Sequence, residues 1–137
     1  MVDKERQKRY KEKIDYAKER TDDVKTLISG LDDKIKRLAC YKAFQEVVEV
    51  IFDIIAMLLK DRNKPIEDDY ANIARLEEFK LITKNDAIIL RNANGLRNRV
   101  VHRYNKTDET IAKKSIQELI PKLEIILEEF SKLKHGK

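Results

Sequence analysis

Residues that break regular structure are scarce: three Gly and two Pro in 137 positions. A sheet of that length would need turn residues about every ten positions, and this chain has nowhere to put them. Ala, Leu, Ile, Lys, Glu and Arg dominate instead, all tolerant of or favourable to helix. The chain therefore reads as all-α. It is short enough for one domain, residues 1–137, and long enough to bury about two thirds of its unfolded surface in a core of its own.

Apolar residues recur at three- and four-residue steps in several stretches. The first runs from about residue 4 to 29, with Tyr10, Ile14, Ala17, Val24 and Ile28 on a narrow stripe, and stops at Ser29-Gly30. The second, from about 32 to 61, carries Ile35, Leu38, Tyr41, Phe44, Val48, Ile51, Phe52, Ile55, Leu58 and Leu59. So broad a face predicts a helix touched on several sides, the spine of a bundle. A break at Asp61 to Pro65 precedes a short helix, DDYANIARLEEFK, with Tyr70, Ile73, Leu76 and Phe79 as its stripe. Thr83 and Asp86 form a capping-box pattern that starts a fourth helix. Thr107 is the expected N-cap of the last helix, whose apolar side bears Ile111, Leu119, Leu123, Ile126, Phe130 and Leu133. Pro121 lies within it and is expected to bend it by removing one backbone hydrogen bond. His135 to Lys137 form the tail. Short connections between long helices predict an up-and-down four-helix bundle with one extra short helix.

The charge is localised. Formal net charge is +5, from 30 Lys and Arg against 25 Asp and Glu. Residues 84 to 106 hold six bases (Lys84, Arg91, Arg97, Arg99, Arg103, Lys106) and a single acid, Asp86, so this window carries the whole excess and the remaining 24 bases face 24 acids. A neutral scaffold with one cationic strip draws polyanions to one place. The single cysteine, Cys40, cannot form an intrachain disulfide and lies among apolar neighbours, which fits an inert thiol and a cytoplasmic setting. The charged start MVDKERQKRYKEK has no signal-peptide pattern, and the apolar run at 47–59 is interrupted by Glu49 and Asp53 and is too short for a membrane span.

Within the strip, RNRVVHRY places Arg97, Asn98, His102 and Tyr104 in eight residues. A fixed cation, an amide, a group titrating near neutrality and a phenol together suit a phosphodiester. At about 100° per residue, Ile89, Ala93, Leu96 and Val100 face the core, while Arg91, Asn94, Asn98 and His102 fall opposite, on an exposed ridge. Arg97 lies about a quarter turn from Asn98, between ridge and core. Bringing its guanidinium to the imidazole requires a distorted helix end or a second copy of the chain, and the homodimer is the preferred arrangement, with Val101 at or near its interface. Five of the seven Asn (Asn85, Asn92, Asn94, Asn98, Asn105) crowd into this segment although Asn is a poor helix former. Sequences break local preference in this way where a functional site demands it.

These residues resemble the HEPN superfamily and, within it, the HepT-like toxin group, whose signature is an arginine, four residues, a histidine, one residue and a tyrosine. Arg97, His102 and Tyr104 match it, with Asn98 at the polar position after the arginine. The likeness extends to YKAFQEVVEVIFDIIAMLLKD, DDYANIARLEEFKLI and NGLRNRVVHRYNKTD, nearly the whole chain. It implies a HEPN-like helical domain and a metal-independent ribonuclease toxin, acting as a homodimer with the motif at a cleft between subunits. It also implies an MNT-type nucleotidyltransferase antitoxin that transfers AMP to Tyr104.

On this reading the ribose 2′-OH attacks the adjacent phosphorus and leaves a 2′,3′-cyclic phosphate. His102 moves the proton, Arg97 stabilises charge on the phosphoryl oxygens, and Asn98 holds the phosphate or orients the imidazole. The need for a 2′-OH makes RNA the substrate. Arg91, Asn94, Arg99 and Arg103 are expected to contact the RNA backbone. No cofactor or metal is expected: Asp22-Asp23, Asp32-Asp33 and Asp68-Asp69 read as caps at helix starts, and there is no P-loop or serine triad. The rival reading is a non-catalytic module that binds a nucleotidyltransferase, or a nucleotide, through the same strip.

Overall fold

The computed structural model describes residues 4–102 and 108–133, with the side chains of His102 and Asp108 outside the description. Five α-helices follow one another: α1 (Lys4–Leu27), α2 (Lys34–Asp61), α3 (Asp69–Glu78), α4 (Lys84–His102) and α5 (Asp108–Lys132), with a 3-10 turn at Ile28–Gly30. There is no strand among the described residues. The all-α expectation holds, with four long helices and one short one.

Local chemistry sets the boundaries. Asp33 caps α2 by accepting from the Lys36 amide at 2.9 Å, and Asp68 caps α3 by accepting from the Ala71 amide at 2.8 Å. Asp22 and Asp23, by contrast, lie inside α1 rather than at a helix start, and Asp23 pairs with Arg20 at 3.0 Å. The periodic run through both residues already argued for a continuous helix, and an adjacent pair of acids is no cap signal by itself. Thr83 and Asp86 form the expected box: the Asp86 amide donates to Thr83 Oγ1 at 3.0 Å, and the Thr83 amide to Asp86 Oδ2 at 3.3 Å. Both α2 and α3 end in Schellman turns, with Asn63 (φ 59°) and Lys80 (φ 61°) in the left-handed position that closes them. The expected Thr107 cap and the His135–Lys137 tail lie outside the described residues. Helix α5 runs through Pro121, which faces solvent.

Long-range ion pairs fix the directions. Lys13 meets Asp53 and Arg6 meets Asp61, so α1 and α2 are antiparallel. Lys18 meets Glu128 and Lys25 meets Glu124, so α5 runs antiparallel to α1. Arg37 reaches Glu109 at 3.3 Å, tying the start of α2 to the start of α5. The start of α4 lies against the end of α5, where Asp86 faces Glu129; burial, then the Asp86 charge and a hydrogen bond to it, pushes the Glu129 carboxyl up. The result is an up-and-down bundle with α2 as spine. Phe44, Ile51, Ile54, Ile55, Leu58 and Leu59 on α2 are buried, together with Tyr10, Ile73, Leu90, Leu96, Leu123 and Phe130 from the other helices.

Three apolar residues expected in that core are instead exposed: Ile35, Leu38 and Ile111. Ile35 lies nine residues before Phe44, half a turn round the helix from it, so it points away from the stripe that α1 covers. Tyr70 and Phe79, at the two ends of the short α3, are also partly exposed while Ile73 and Leu76 between them are buried. Cys40 is buried, and burial pushes its thiol up to about 11, leaving it protonated and inert at neutral pH.

Candidate functional site

Helix α4 carries the motif as far as His102 and is gripped from two sides. Its inner face, Ala87, Leu90, Ala93, Leu96 and Val100, is buried against the core. Arg97 emerges at the edge of that face, its side chain 21% exposed, at a seam between α2 and α3. Its Nη1 donates to Glu49 Oε2 of α2 at 3.2 Å, and its Nη2 donates to Asn94 Oδ1 of α4 at 3.1 Å. Asp69 Oδ2, at the start of α3, lies 3.9 Å from Nη2. Gln45 steadies the first carboxylate by donating to Glu49 Oε2 at 3.0 Å. The guanidinium is thus fixed from three helices, its Nε buried without a hydrogen-bond partner among the described residues.

Asn94, expected on the exposed ridge as an RNA contact, is buried at 2% exposure. Helix α3 packs alongside α4, and the Asn94 carbonyl serves Arg97 instead. Asn98 is exposed, as the ridge requires. Arg91 is half-buried and leans towards α3, 3.7 Å from Glu77. Arg99 is exposed and has no carboxylate within ion-pair distance among the described residues. The strip is therefore less cationic than its composition: two of its arginines face acids contributed by other helices. Val101, assigned to the outer side, is exposed.

His102 ends α4 as a backbone position; its imidazole, and Arg103, Tyr104 and Lys106, lie outside the described residues. His102 lies five positions after Arg97, which in a regular helix is about 140° of turn and 7.5 Å of rise. The two positions are thus on different sides of α4, with Arg97 directed to the α2–α3 seam. Glu49, Asp69, Gln45 and Tyr70 were not among the site residues expected from sequence, where Asp69 read as a cap and Tyr70 as core. The signal for Glu49 was available, an acid interrupting the most apolar run of the chain, but its partner stands 48 positions away. Among the described residues no group of three or more His, Cys, Asp or Glu is placed to hold a metal, and no helix is long and apolar enough to cross a membrane.

Comparison with known proteins gives a consistent result. The family profile described as Ribonuclease HepT-like matches residues 10–130. Two proteins of Archaeoglobus fulgidus, both named as candidate RNases, are 38% and 35% identical over 114 residues, 83% of this chain and 85% and 84% of theirs. A third candidate RNase, from Methanocaldococcus jannaschii, is 44% identical over 66 residues, 48% of this chain and 76% of its own length. Among solved structures, a tri-AMPylated HEPN toxin of Shewanella oneidensis in complex with an MNT antitoxin superposes with a TM-score of 0.78. It covers 88% of this chain and 94% of its own at 19% identity, which makes the two folds alike.

Proposed function

We propose, for a chain that belongs to the ribonuclease HepT-like family, that it is the endoribonuclease toxin of a toxin–antitoxin pair, cutting RNA without a metal at a cleft between two copies of itself. The observation that carries the reading is the anchoring of Arg97. A guanidinium held by Glu49, Asn94 and Asp69 keeps its direction without substrate, and preorganised charge of this kind is what a phosphoryl-transfer site needs. It directs Arg97 away from the side of α4 on which the backbone position of His102 lies, which supports a site where the arginine and the imidazole acting on one phosphate come from different subunits.

The 2′-oxygen attacks phosphorus as its proton passes to a base. The bond to the 5′-oxygen then breaks, and that oxygen takes up a proton to leave a 5′-hydroxyl and a 2′,3′-cyclic phosphate. His102 serves these proton transfers, Arg97 meets charge on the non-bridging oxygens, and Asn98 orients phosphate or imidazole. Arg99 and Arg103 supply backbone contacts. The partner is an MNT-type nucleotidyltransferase antitoxin, as the complexed Shewanella oneidensis toxin suggests by analogy of fold. Transfer of AMP to Tyr104 would set a bulky anion beside the phosphate site and offset its positive field.

The second reading, a non-catalytic partner module, draws on the same cluster. Arg97 already has two carboxylates near it, enough to make it a purely structural cation. The test is incubation with RNA in chelator of wild type, Arg97→Ala and His102→Ala, after mass spectrometry has shown Tyr104 to be unmodified. Cyclic-phosphate ends from wild type alone support the ribonuclease; unmodified wild type that leaves RNA intact supports the module.

A further inference from the structure

Gly95 sits in the middle of α4 with its missing side chain directed outward. A methyl group there would meet Arg99 Nη1 at 3.8 Å and the Tyr70 hydroxyl at 4.0 Å, ordinary contact distances, with no other side chain within 4 Å among the described residues beyond its chain neighbours Asn94 and Leu96. A single copy of the chain therefore has room for alanine, a far better helix former at that position. The space the glycine leaves is open to an approach from outside α4.

The two atoms nearest the gap suggest what approaches. A guanidinium nitrogen and a phenol hydroxyl are both hydrogen-bond donors, and they lie within 4.0 Å of one point. Arg99 lacks the carboxylate partner that Arg91 and Arg97 have among the described residues. Tyr70, 46% exposed, brings an aromatic face from α3 to a strip whose own sequence has no aromatic before Tyr104. A notch floored by backbone, with two donors at its rim and a ring beside it, fits a phosphate with its base stacked alongside.

We propose that Gly95, Tyr70 and Arg99 form a subsite for a phosphodiester flanking the one that is cut. Gly95 and His102 are seven residues apart, two turns on the same side of α4 and about 10.5 Å along it, which places the notch beside the scissile position rather than on it. The proposal rests on the ribonuclease reading and extends it to a residue of α3 outside the signature. Tyr70 and Gly95 would set how tightly single-stranded RNA is held; the chemistry stays with Arg97 and His102.

The test uses an oligouridylate of about ten nucleotides, within the span such grooves take. Its affinity is measured on His102→Ala protein, with and without Gly95→Gln, Arg99→Gln or Tyr70→Phe, and steady-state cleavage is measured on the same changes with His102 intact. Gly95→Gln and Arg99→Gln are expected to weaken binding and raise KM about tenfold with kcat within about threefold, and Tyr70→Phe to weaken binding about threefold. Arg99→Gln should also lower the slope of log affinity against log salt by about 0.7. A melting temperature for Gly95→Gln at or above wild type shows the fold intact. Affinities within twofold of the parent, while wild type still cuts RNA, overturn the subsite and leave the ribonuclease standing. Loss of the dimer in Gly95→Gln with unchanged RNA affinity also overturns it, by giving the glycine to a second copy. Unmodified wild type that neither binds nor cuts RNA brings down the ribonuclease reading, and the subsite with it.

Discussion

Two of the arginine–carboxylate clusters that tie this bundle together are built to opposite balances. At the end of α2, Asp61 receives both oxygens' worth of hydrogen bonds from Arg6 Nε at 3.1 Å and a short one from the Tyr10 hydroxyl, with the charge of Arg62 close by. One anion sits among cations and donors. At the motif, Arg97 is one cation between two anions, Glu49 and Asp69, with a buried Nε that bonds nothing among the described residues. The Asp61 cluster is complete within the chain. The Arg97 cluster fixes the direction of a cation whose two carboxylates are both partly exposed.

The pKa shifts follow the first cluster's logic. Burial pushes the Asp61 carboxyl up, but the bonds from Arg6 and Tyr10 and the charges of Arg6 and Arg62 outweigh it and hold the group below its usual 3.8. Burial, reinforced by the bond to Asp61, holds the Tyr10 phenol well above its ordinary range.

The sharpest break of the comparison is in activity. Arg97→Ala and His102→Ala should each lower RNA cleavage by at least about a hundredfold, read as cyclic-phosphate product, whereas Asp61→Ala at a temperature where it stays folded should change it little. In stability the order reverses. Asp61→Ala should cost about 2 to 3 kcal/mol, since it removes the carboxylate that both Arg6 and Tyr10 donate to, while Arg97→Ala should cost about 1 kcal/mol or less, because Glu49 and Asp69 remain near solvent. Urea denaturation separates the two, and equal costs would erase the distinction. Acid sharpens it further: a carboxylate with a depressed folded pKa stabilises the fold above its unfolded value of about 3.8 and loses that contribution as pH falls through the folded value. Wild type should therefore lose more stability than Asp61→Asn between pH 5 and pH 3. The smallest effect belongs to the Schellman turn of α3, where Lys80 holds a positive φ that glycine adopts freely; Lys80→Gly should stabilise by about 0.5 to 1 kcal/mol and leave cleavage unchanged.

Much of this was legible from the chain because it depends on neighbours in sequence. The Thr83–Asp86 box, the Asp33 and Asp68 caps and the inert Cys40 each follow from a few adjacent residues. What escaped depends on remote partners. The ridge arithmetic put Asn94 in solvent because it took α4 as a helix against one core, and α3 covers a second side. The charge of the strip was overstated because Glu49, Asp69 and Glu77 come from other helices. Tyr70 read as core because it shares a stripe with Ile73, but at the first turn of a ten-residue helix that stripe overhangs its support.

The grip on Arg97 spans two helices, α2 and α3, that follow one another in the chain. Glu49 belongs to the rigid spine, Asp69 to the first turn of a short connector. Any force that slides α3 along the bundle therefore shifts one anchor of the guanidinium and not the other. Its aim reports the spacing of α2 and α3, and a molecule pulling on the connector would be felt at the arginine without touching it.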